Sequence, residues 1–446
     1  MLDLSRQRVL VLGLGLSGRS AAAFCAARGA RVVAADERPA QALEALDALP
    51  AAVERVLGAP FPDPADFDLV VPSPGVPPAR YRERARCVWG DIELAYRALS
   101  IPLVAVTGTN GKSTTTALTT AMLRAAGLRA RSAGNIGTPA LDLVGEALDV
   151  AVLEVSSFQL ETTDAFRPAV AVLLNLTPDH YDRHASFEAY AAAKARVLTE
   201  QRADDSAVLN FDDPTVRALA DAARAQVVPF RTRGPLERGA WLDAGAIALR
   251  LGETPPARLS LDGLRLAGAH NRENVLAALC AAACVGADAE KAMQALGSFE
   301  GLPHRTQIVG RCAGVDFVDD SKATNPGAAL SSLASFDAPL VWIAGGRDKN
   351  LDLSALAGAA RQRVRAAVLL GEAAPTLARL LRGHVEVVCV DSIERAVRVA
   401  AELAHAGDVV LLSPGCSSHD MFRNFEERGQ RFRAAVAALP GAENPW

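Results

Sequence analysis

Residues 101–127, IPLVAVTGTNGKSTTTALTTAMLRAAG, decide how the chain is read. An apolar run, IPLVAV, ends in a polar loop, and an Ala/Thr/Leu-rich stretch follows until Gly127. The spacing predicts a buried strand, a tight turn and a helix closed by glycine. The loop is Thr107-Gly108-Thr109-Asn110-Gly111-Lys112-Ser113-Thr114. Two glycines let the backbone curl so that successive N–H groups point at an anion, and the helix N-terminus adds its dipole. Lys112 supplies a positive charge for the outer phosphates, and Ser113 or Thr114 a hydroxyl for Mg²⁺. The usual phosphate-loop pattern has a further glycine where this chain has Val106. Strand, loop, lysine, hydroxyl and helix are nevertheless all present, and the stretch reads as a nucleoside triphosphate site.

The totals bound the rest. A chain of 446 residues holds about two to four domains. With 50% hydrophobic and 22% charged residues, it has material for sizeable cores and not the composition of a disordered chain. A formal charge of −4 and a pI near 6.0 give no reason to expect a nucleic-acid partner. The seven cysteines are scattered and form no Cys-x-x-Cys. Cys280 and Cys284 lie four apart in an apolar Ala-rich run and read as core, which fits a reducing cytoplasm. A first strand at Arg8 leaves no room for a signal sequence, and no uncharged apolar run reaches membrane-spanning length.

Upstream, RVLVLGLGLSG (residues 8–18) is an apolar strand running into Gly13-x-Gly15-x-x-Gly18. A second strand, 31–35, ends at Asp36, twenty-one residues after Gly15. That is the layout of a dinucleotide-binding turn with an acid for a ribose or base, and alone it favours a nicotinamide or flavin enzyme. A third strand is expected at 67–71, ending in the rigid loop PSPGVP. Only about 95 residues precede the phosphate loop, too few for a complete dinucleotide fold, so a half-fold holding one nucleotide fits better.

Downstream of the loop, VAVLEV (150–155) reads as a buried strand carrying Glu154 near its end. A carboxylate there needs a cation, either Mg²⁺ at the triphosphate or an ordinary salt bridge. The strand 170–174 exits into Asn175-Leu176-Thr177-Pro178-Asp179-His180, and His180 beside aspartates at a strand exit points to function. In the helix expected over 187–198, FEAYAAAKARVL, Lys194 reads by itself as a solvated lysine. Short strands and turns are expected over 205–265, then an apolar helix opening on GAHNREN (268–274), which contains Asn271. After Leu302-Pro303-His304-Arg305 a new α/β alternation begins, with strands expected at 314–318, 340–344, 366–370, 386–390 and 408–412. Three of their exits are polar, and Lys322, Thr324, Lys349 and Ser418 on them suit a small carboxylated molecule.

The fold class that follows is α/β in three domains: a Rossmann-like module at 1–97, a central phosphate-loop module with a mostly parallel sheet at 98–301, and a second Rossmann-like module at 302–446. A triphosphate site, a second nucleotide-type site and an anion pocket suggest ATP-driven joining of two substrates. The sequence resembles the Mur ligase family along nearly its whole length. The carriers include GLGLSG, SPG, TGTNGKST, GNIGTPAL, LEVSSFQLE, LNLTPDHYDRH, AAAKARV, GAHNRENVLAA, LPHRTQ, DDSKATNP and LLSPGCSSHDMFRNFEERG. SSFQLE and DDSKATN resemble the glutamate-adding branch.

The resemblance implies roles. Leu16 and Ser17 would meet the diphosphate of a UDP-linked substrate and Asp36 and Arg38 its uracil, with Ser73 and Asn135 as further contacts. Gly108, Thr109, Asn110, Gly111, Lys112, Ser113 and Thr114 would hold ATP, joined by Asn271 and Arg305. Two Mg²⁺ sites would use Ser113, Glu154, His180 and a carbamate formed on Lys194, which overturns the plain reading of that lysine. Lys322, Thr324, Lys349, Ser418 and Phe425 would line the glutamate site. The implied reaction adds D-glutamate to UDP-N-acetylmuramoyl-L-alanine through an acyl phosphate, in peptidoglycan precursor synthesis, with the domains closing first. The implied enzyme is cytoplasmic and monomeric, with no membrane span and no nucleic-acid partner. The remaining alternatives are an L-glutamate-using or folylpolyglutamate-type ligase, a nicotinamide-dependent oxidoreductase and a non-catalytic binding protein.

Overall fold

The computed structural model describes residues 2–181, 183–253, 255–262, 264, 269–347 and 352–443. The chain divides into two compact units, Met1–Asp262 with Glu273–Leu296, and Gly263–Arg272 with Gly297–Trp446.

The first unit opens with β1 (Arg8–Leu12), α1 (Leu16–Ala27), β2 (Arg31–Asp36), β3 (Glu54–Leu57), β4 (Leu69–Pro72) and α2 (Asp91–Ala98). The four strands form one parallel sheet in the order β3-β2-β1-β4. The sequence reading missed β3 and took 67–71 as the third strand. ERVL is a short edge strand whose first two residues are exposed, so it lacks the apolar run that marks β1.

A second sheet follows in the same unit. Its elements are β5 (Leu103–Thr107), α3 (Lys112–Ala125), β6 (Ala130–Gly134), β7 (Val150–Glu154), α4 (Ser157–Leu160), β8 (Val170–Leu173), α5 (Phe187–Ala195) and β9 (Ser206–Asn210). After them come α6 (Pro214–Arg217), β10 (Gln226–Arg231), β11 (Gly239–Asp243), β12 (Ala246–Arg250) and β13 (Ala257–Leu259). Helices α7 (Ala269–Cys284) and α8 (Ala289–Met293) complete the series. The strand order is β13-β12-β11-β10-β9-β8-β5-β7-β6, antiparallel only at β11-β12 and β12-β13. Strand β5 is buried at every residue, between β7 and β8. The register pairs Val106 with Glu154 and Thr107 with Leu173. Three strand exits therefore meet around the loop after β5, where open α/β sheets bind ligands. One apolar core runs from Val9 and Ala21 through Ile92 and Leu94 to Leu153 and Leu173, so the two sheets of this unit share a hydrophobic interior.

The second unit holds β14 (Gln307–Cys312), β15 (Val315–Asp319), α9 (Pro326–Ala334), β16 (Leu340–Gly345), α10 (Ser354–Arg363) and β17 (Val364–Leu370). It continues with α11 (Ala374–Leu381), β18 (Glu386–Cys389), α12 (Ile393–Leu403), β19 (Val409–Gly415) and α13 (Phe425–Ala437). Its sheet runs β14-β15-β19-β16-β17-β18, with only β14 antiparallel. Strand β14 was also absent from the sequence reading, being half-polar and at an edge. Trp342, fully buried, donates from Nε1 to the Ser413 carbonyl at 2.8 Å, so its indole nitrogen enters the core satisfied. The strand exits are stitched by Arg428 of α13. Its guanidinium is buried and donates to Ser321 Oγ at 3.0 Å, the Ser321 carbonyl at 2.8 Å and the Cys416 carbonyl at 3.2 Å. Burial pulls its pKa down to about 10, which still leaves it charged near neutral pH.

Arg428→Ala removes three buried hydrogen bonds, to the hydroxyl and carbonyl of Ser321 and the carbonyl of Cys416. It is expected to cost about 2–4 kcal/mol, measured as a lower unfolding temperature of the second unit by calorimetry. An unchanged melting profile would contradict the role assigned to this side chain.

Candidate active site

The loop after β5 is shaped by its glycines. Gly108 has φ +147, and a Cβ there would come within 2.9 Å of the Leu174 Cβ. Gly111, at φ +84, is the N-cap of α3, and a Cβ there would overlap the Asn274 carbonyl oxygen Oδ1 on α7. No other residue fits either position without strain. Helix α3 has no side-chain cap and no acid in its first turn, so its leading N–H groups and dipole are left for an anion. Lys112 Nζ donates to the carbonyls of Gly108 and Thr109 at 2.8 Å each. Ser113 and Thr114 lie buried in the first helical turn.

Asn175 at the β8 exit braces this loop from three sides. Its carbonyl accepts from Thr109 N at 2.9 Å, its Oδ1 from Asn110 N at 2.8 Å, and its Nδ2 donates to the Asn110 carbonyl at 3.1 Å. Thr109 Oγ1 lies 3.0 Å from the Tyr190 hydroxyl and accepts from Thr177 N.

Glu154, on the other side of β5, is 2% exposed. Its Oε1 accepts from Asn135 Nδ2 at 2.8 Å, while Oε2 is buried with no hydrogen-bond partner. A half-satisfied buried carboxylate is costly unless a cation completes it. That orphaned oxygen is the observation that fits a divalent metal here. Among the described residues no cluster of three or more His, Cys, Asp or Glu is formed. This donor set suits Mg²⁺ held partly by phosphate and water, not a cage made wholly of protein.

Lys194 on α5 is also 2% exposed, contrary to the solvated lysine that its sequence context suggests. The alanines of FEAYAAAKA allow the helix to sit close, and the i, i+4 spacing puts Tyr190 and Lys194 on one face. Its Nζ lies 3.5 Å from Thr107 Oγ1 and 4.9 Å from the centroid of the Tyr190 ring. Burial, then the charge of Lys112, drives its pKa well below the usual lysine value, with Asp179 and Glu154 opposing. His180 follows β8 in a left-handed conformation, φ +54, and packs on Phe158 with ring centroids 4.9 Å apart. A non-glycine residue held there marks a constrained loop.

A separate cavity of about 480 Å³ opens at the exits of β1 and β2, lined by Gly13, Leu16, Ser17, Asp36, Arg38 and Ser73 among others. Asp36 accepts from Leu14 N at 2.8 Å, and from Arg38 through N, Nε and NH2. The Arg38 guanidinium holds its carboxyl down at about 2. Ser73 Oγ donates to the Gly13 carbonyl at 2.7 Å. Asn135, expected among the substrate contacts, is not one of the residues lining this cavity and sits beside Glu154.

In the second unit Lys322 Nζ stands 3.9 Å over the Phe425 ring. The backbone of Thr324 donates to the Lys322 carbonyl, and Gly415 N to the Ala323 carbonyl. Ser418 is buried just beyond β19, and Arg347 N reaches the neighbouring Ser417 carbonyl at 2.8 Å. The three polar exits thus lie at one end of this sheet. Lys349 lies outside the described residues. Arg305 donates its N–H to the Leu302 carbonyl in the turn before β14, and Asn271 is buried on α7. Asn175, Asn274, Tyr190 and Arg428 were not singled out from sequence. Tyr190 had a signal, one turn before Lys194, and Asn175 stood at the head of a cluster already noted.

Asn175→Ala removes the two side-chain hydrogen bonds of the brace and keeps the backbone one. It is expected to lower affinity for a nucleoside triphosphate about tenfold and stability by about 1–2 kcal/mol, read by calorimetric titration and melting. Wild-type affinity in a folded variant would contradict the bracing role.

The comparisons with known proteins agree along the whole chain. The family description "Mur ligase MurD-like, N-terminal domain" matches residues 7–85, "Mur ligase middle domain" 106–282 and "Mur ligase, glutamate ligase domain" 304–416. The chain is 44% identical over 456 aligned residues to the UDP-N-acetylmuramoylalanine–D-glutamate ligase of Geobacter metallireducens, covering 100% of both. It is 43% identical to the protein of that name from Pelotomaculum thermopropionicum, covering 98% of this chain and 99% of the relative. Among solved structures, a MurF ligase from Thermotoga maritima aligns with TM-score 0.61 at 18% identity, over 98% of this chain and 99% of that one. A Mycobacterium tuberculosis folylpolyglutamate synthase aligns with TM-score 0.58 at 17% identity, over 79% and 95%. These structural likenesses speak to the fold alone. By its three matched domains and its full-length relatives, the chain belongs to the Mur ligase family.

Proposed function

We propose that the chain is an ATP-dependent ligase that joins D-glutamate to UDP-N-acetylmuramoyl-L-alanine, in peptidoglycan precursor synthesis. The observation that carries the chemistry is the buried, unpartnered Oε2 of Glu154 on the strand beside the Lys112 loop. The full-length likeness to D-glutamate ligases supports the substrates.

In this reading the Gly108–Thr114 loop holds the ATP phosphates, with Asn271 and Arg305 as further ATP contacts. The cavity at Gly13, Ser17 and Asp36 holds the UDP end, with Leu16, Arg38, Ser73 and Asn135 as its partners. Lys322, Thr324, Lys349, Ser418 and Phe425 hold glutamate. The modules run 1–97, 98–301 and 302–446. The alanyl carboxylate oxygen attacks the γ-phosphorus, the bond to the β-phosphate oxygen breaks and ADP leaves. Lys112 neutralises charge on the transferring phosphoryl group. The glutamate amine then attacks the acyl carbon, loses a proton through the tetrahedral intermediate, and inorganic phosphate departs. Ser113, Glu154, His180 and Lys194 would hold two Mg²⁺ ions, which supply charge stabilisation of the phosphoryl oxygens.

An ammonium cannot ligate a metal. The depressed pKa of Lys194 favours the neutral amine that adds carbon dioxide, and the resulting carbamate offers anionic oxygens. The free cysteines fit a reducing cytoplasm, and we take the enzyme to act as a monomer. Among the described residues no helix is long and apolar enough to cross a membrane.

The test is phosphate release from ATP and Mg²⁺ with UDP-N-acetylmuramoyl-L-alanine and either D- or L-glutamate, with mass analysis of the product. Release requiring both substrates, with D-glutamate alone incorporated, is expected; incorporation of the L-enantiomer or of neither would overturn the assignment. Lys194→Ala is expected to reduce kcat about a hundredfold or more and to abolish a carbamate carbon resonance seen with ¹³C-bicarbonate. Full activity without that resonance in the wild type would remove the carbamate from the account.

A further inference from the structure

The turn from Ser73 to Val76, just beyond β4, forms part of the wall of the cavity at Gly13 and Asp36. Val76 N donates to the Ser73 carbonyl at 2.9 Å, and Ser73 Oγ donates to the Gly13 carbonyl. The wall and the glycine turn are therefore one hydrogen-bonded piece. The Val76 carbonyl is taken by a residue far downstream. Arg183 NH1 donates to it at 3.2 Å.

Arg183 lies in the loop between β8 and α5, three residues after His180, and its side chain is 11% exposed. Its backbone N–H donates to the His180 carbonyl at 3.0 Å, and that of His184 to the same carbonyl at 2.9 Å. These two bonds close the turn that holds His180 at φ +54. The guanidinium is fixed by other partners as well. Its Nε and NH2 donate to Glu161 Oε2 at 3.2 and 2.7 Å, and its carbon lies 5.0 Å from the centroid of the Phe158 ring. The same ring carries His180, with centroids 4.9 Å apart. Glu161 is the C-cap of α4 and is itself held, its carbonyl accepting from Arg82 NH2 at 2.6 Å. A planar fork with a carboxylate, a carbonyl and an aromatic face as partners has little freedom to swing. It passes a displacement on instead of absorbing it. All of these residues belong to one compact unit.

We infer that Arg183 is a positioning residue that locks the wall of the first cavity to the His180 turn, so that filling the cavity and setting His180 are coupled. The inference rests on the UDP-substrate reading given above. Arg183 is not one of the residues lining the cavity, so its effect on a ligand there travels through Val76. A substrate seated in the cavity steadies the loop after β8, the strand next to β5.

The test is calorimetric titration with UDP of the full wild-type chain and of Arg183→Ala, with melting as a fold control. The same titration is followed by NMR of ¹³C-labelled histidine, and His180→Gln identifies the His180 signal among the seven histidines. UDP is expected to shift the His180 imidazole signal in the wild type and to leave it unmoved in Arg183→Ala saturated with UDP. Arg183→Ala is expected to weaken UDP about tenfold. It is expected to raise KM for the UDP substrate by the same factor and to leave KM for D-glutamate within about twofold, a split that general loosening would not give. Wild-type UDP affinity in folded Arg183→Ala overturns the inference, as does an equal rise in KM for D-glutamate. So does a His180 shift that persists without the guanidinium, or UDP binding to the wild type with no shift at His180. If Arg183→Ala does not fold, Glu161→Gln loosens the guanidinium while keeping the volume beside it. That variant is expected to weaken UDP about threefold and to shrink the His180 shift; wild-type values of both overturn the inference. A wild-type chain that binds no UDP overturns the substrate reading and the inference together, whereas the other contrary outcomes overturn the inference alone.

Discussion

A carboxylate buried at the end of a central strand, with one oxygen satisfied and the other bare, is the constraint around which the first unit is arranged. Glu154 is tolerable there because Asn135 donates to one oxygen and the neighbouring exit carries the Lys112 loop. The fold keeps β5 between β7 and β8, so an anion-binding helix end, an acid and an amine-bearing helix address one place. Burial at that place works in opposite directions on its charges. It leaves Glu154 in need of a cation and pushes Lys194 toward its neutral form. Both effects suit the phosphate-and-metal site proposed above.

Backbone geometry does much of the recognition that side-chain motifs suggest. Gly108 and Gly111 occupy conformations open to glycine, and their missing side chains make room for Leu174 and Asn274. In the first module the hydroxyl of Ser73 and the carboxylate of Asp36 are engaged with their own chain.

The sequence made the long, apolar, parallel strands legible, because β1, β5, β7, β8 and β16 are continuous hydrophobic runs ending in polar loops. Strands β3 and β14 escaped because they are edge strands with mixed faces, and β6 because ARSAG is small and half-polar. The phosphate loop was readable despite Val106, since lysine, hydroxyl and helix kept their spacing. Lys194 shows the limit of local reading. Nothing in FEAYAAAKA distinguishes a buried lysine from a solvated one, because the burial comes from packing by distant elements; only the family resemblance pointed to it. Asn175 and Arg428 were illegible for a related reason, their partners being far away in sequence.

In the proposed reaction the substrate carboxylate is phosphorylated at the Lys112–Glu154 site before the amide forms. The most direct measurement uses UDP-N-acetylmuramoyl-L-alanine labelled with ¹⁸O in the alanyl carboxylate, followed by mass analysis of the phosphate released. An acyl phosphate passes one labelled oxygen to inorganic phosphate at each turnover, and that is the predicted result. Unlabelled phosphate, with amide formed at the normal rate, would contradict it.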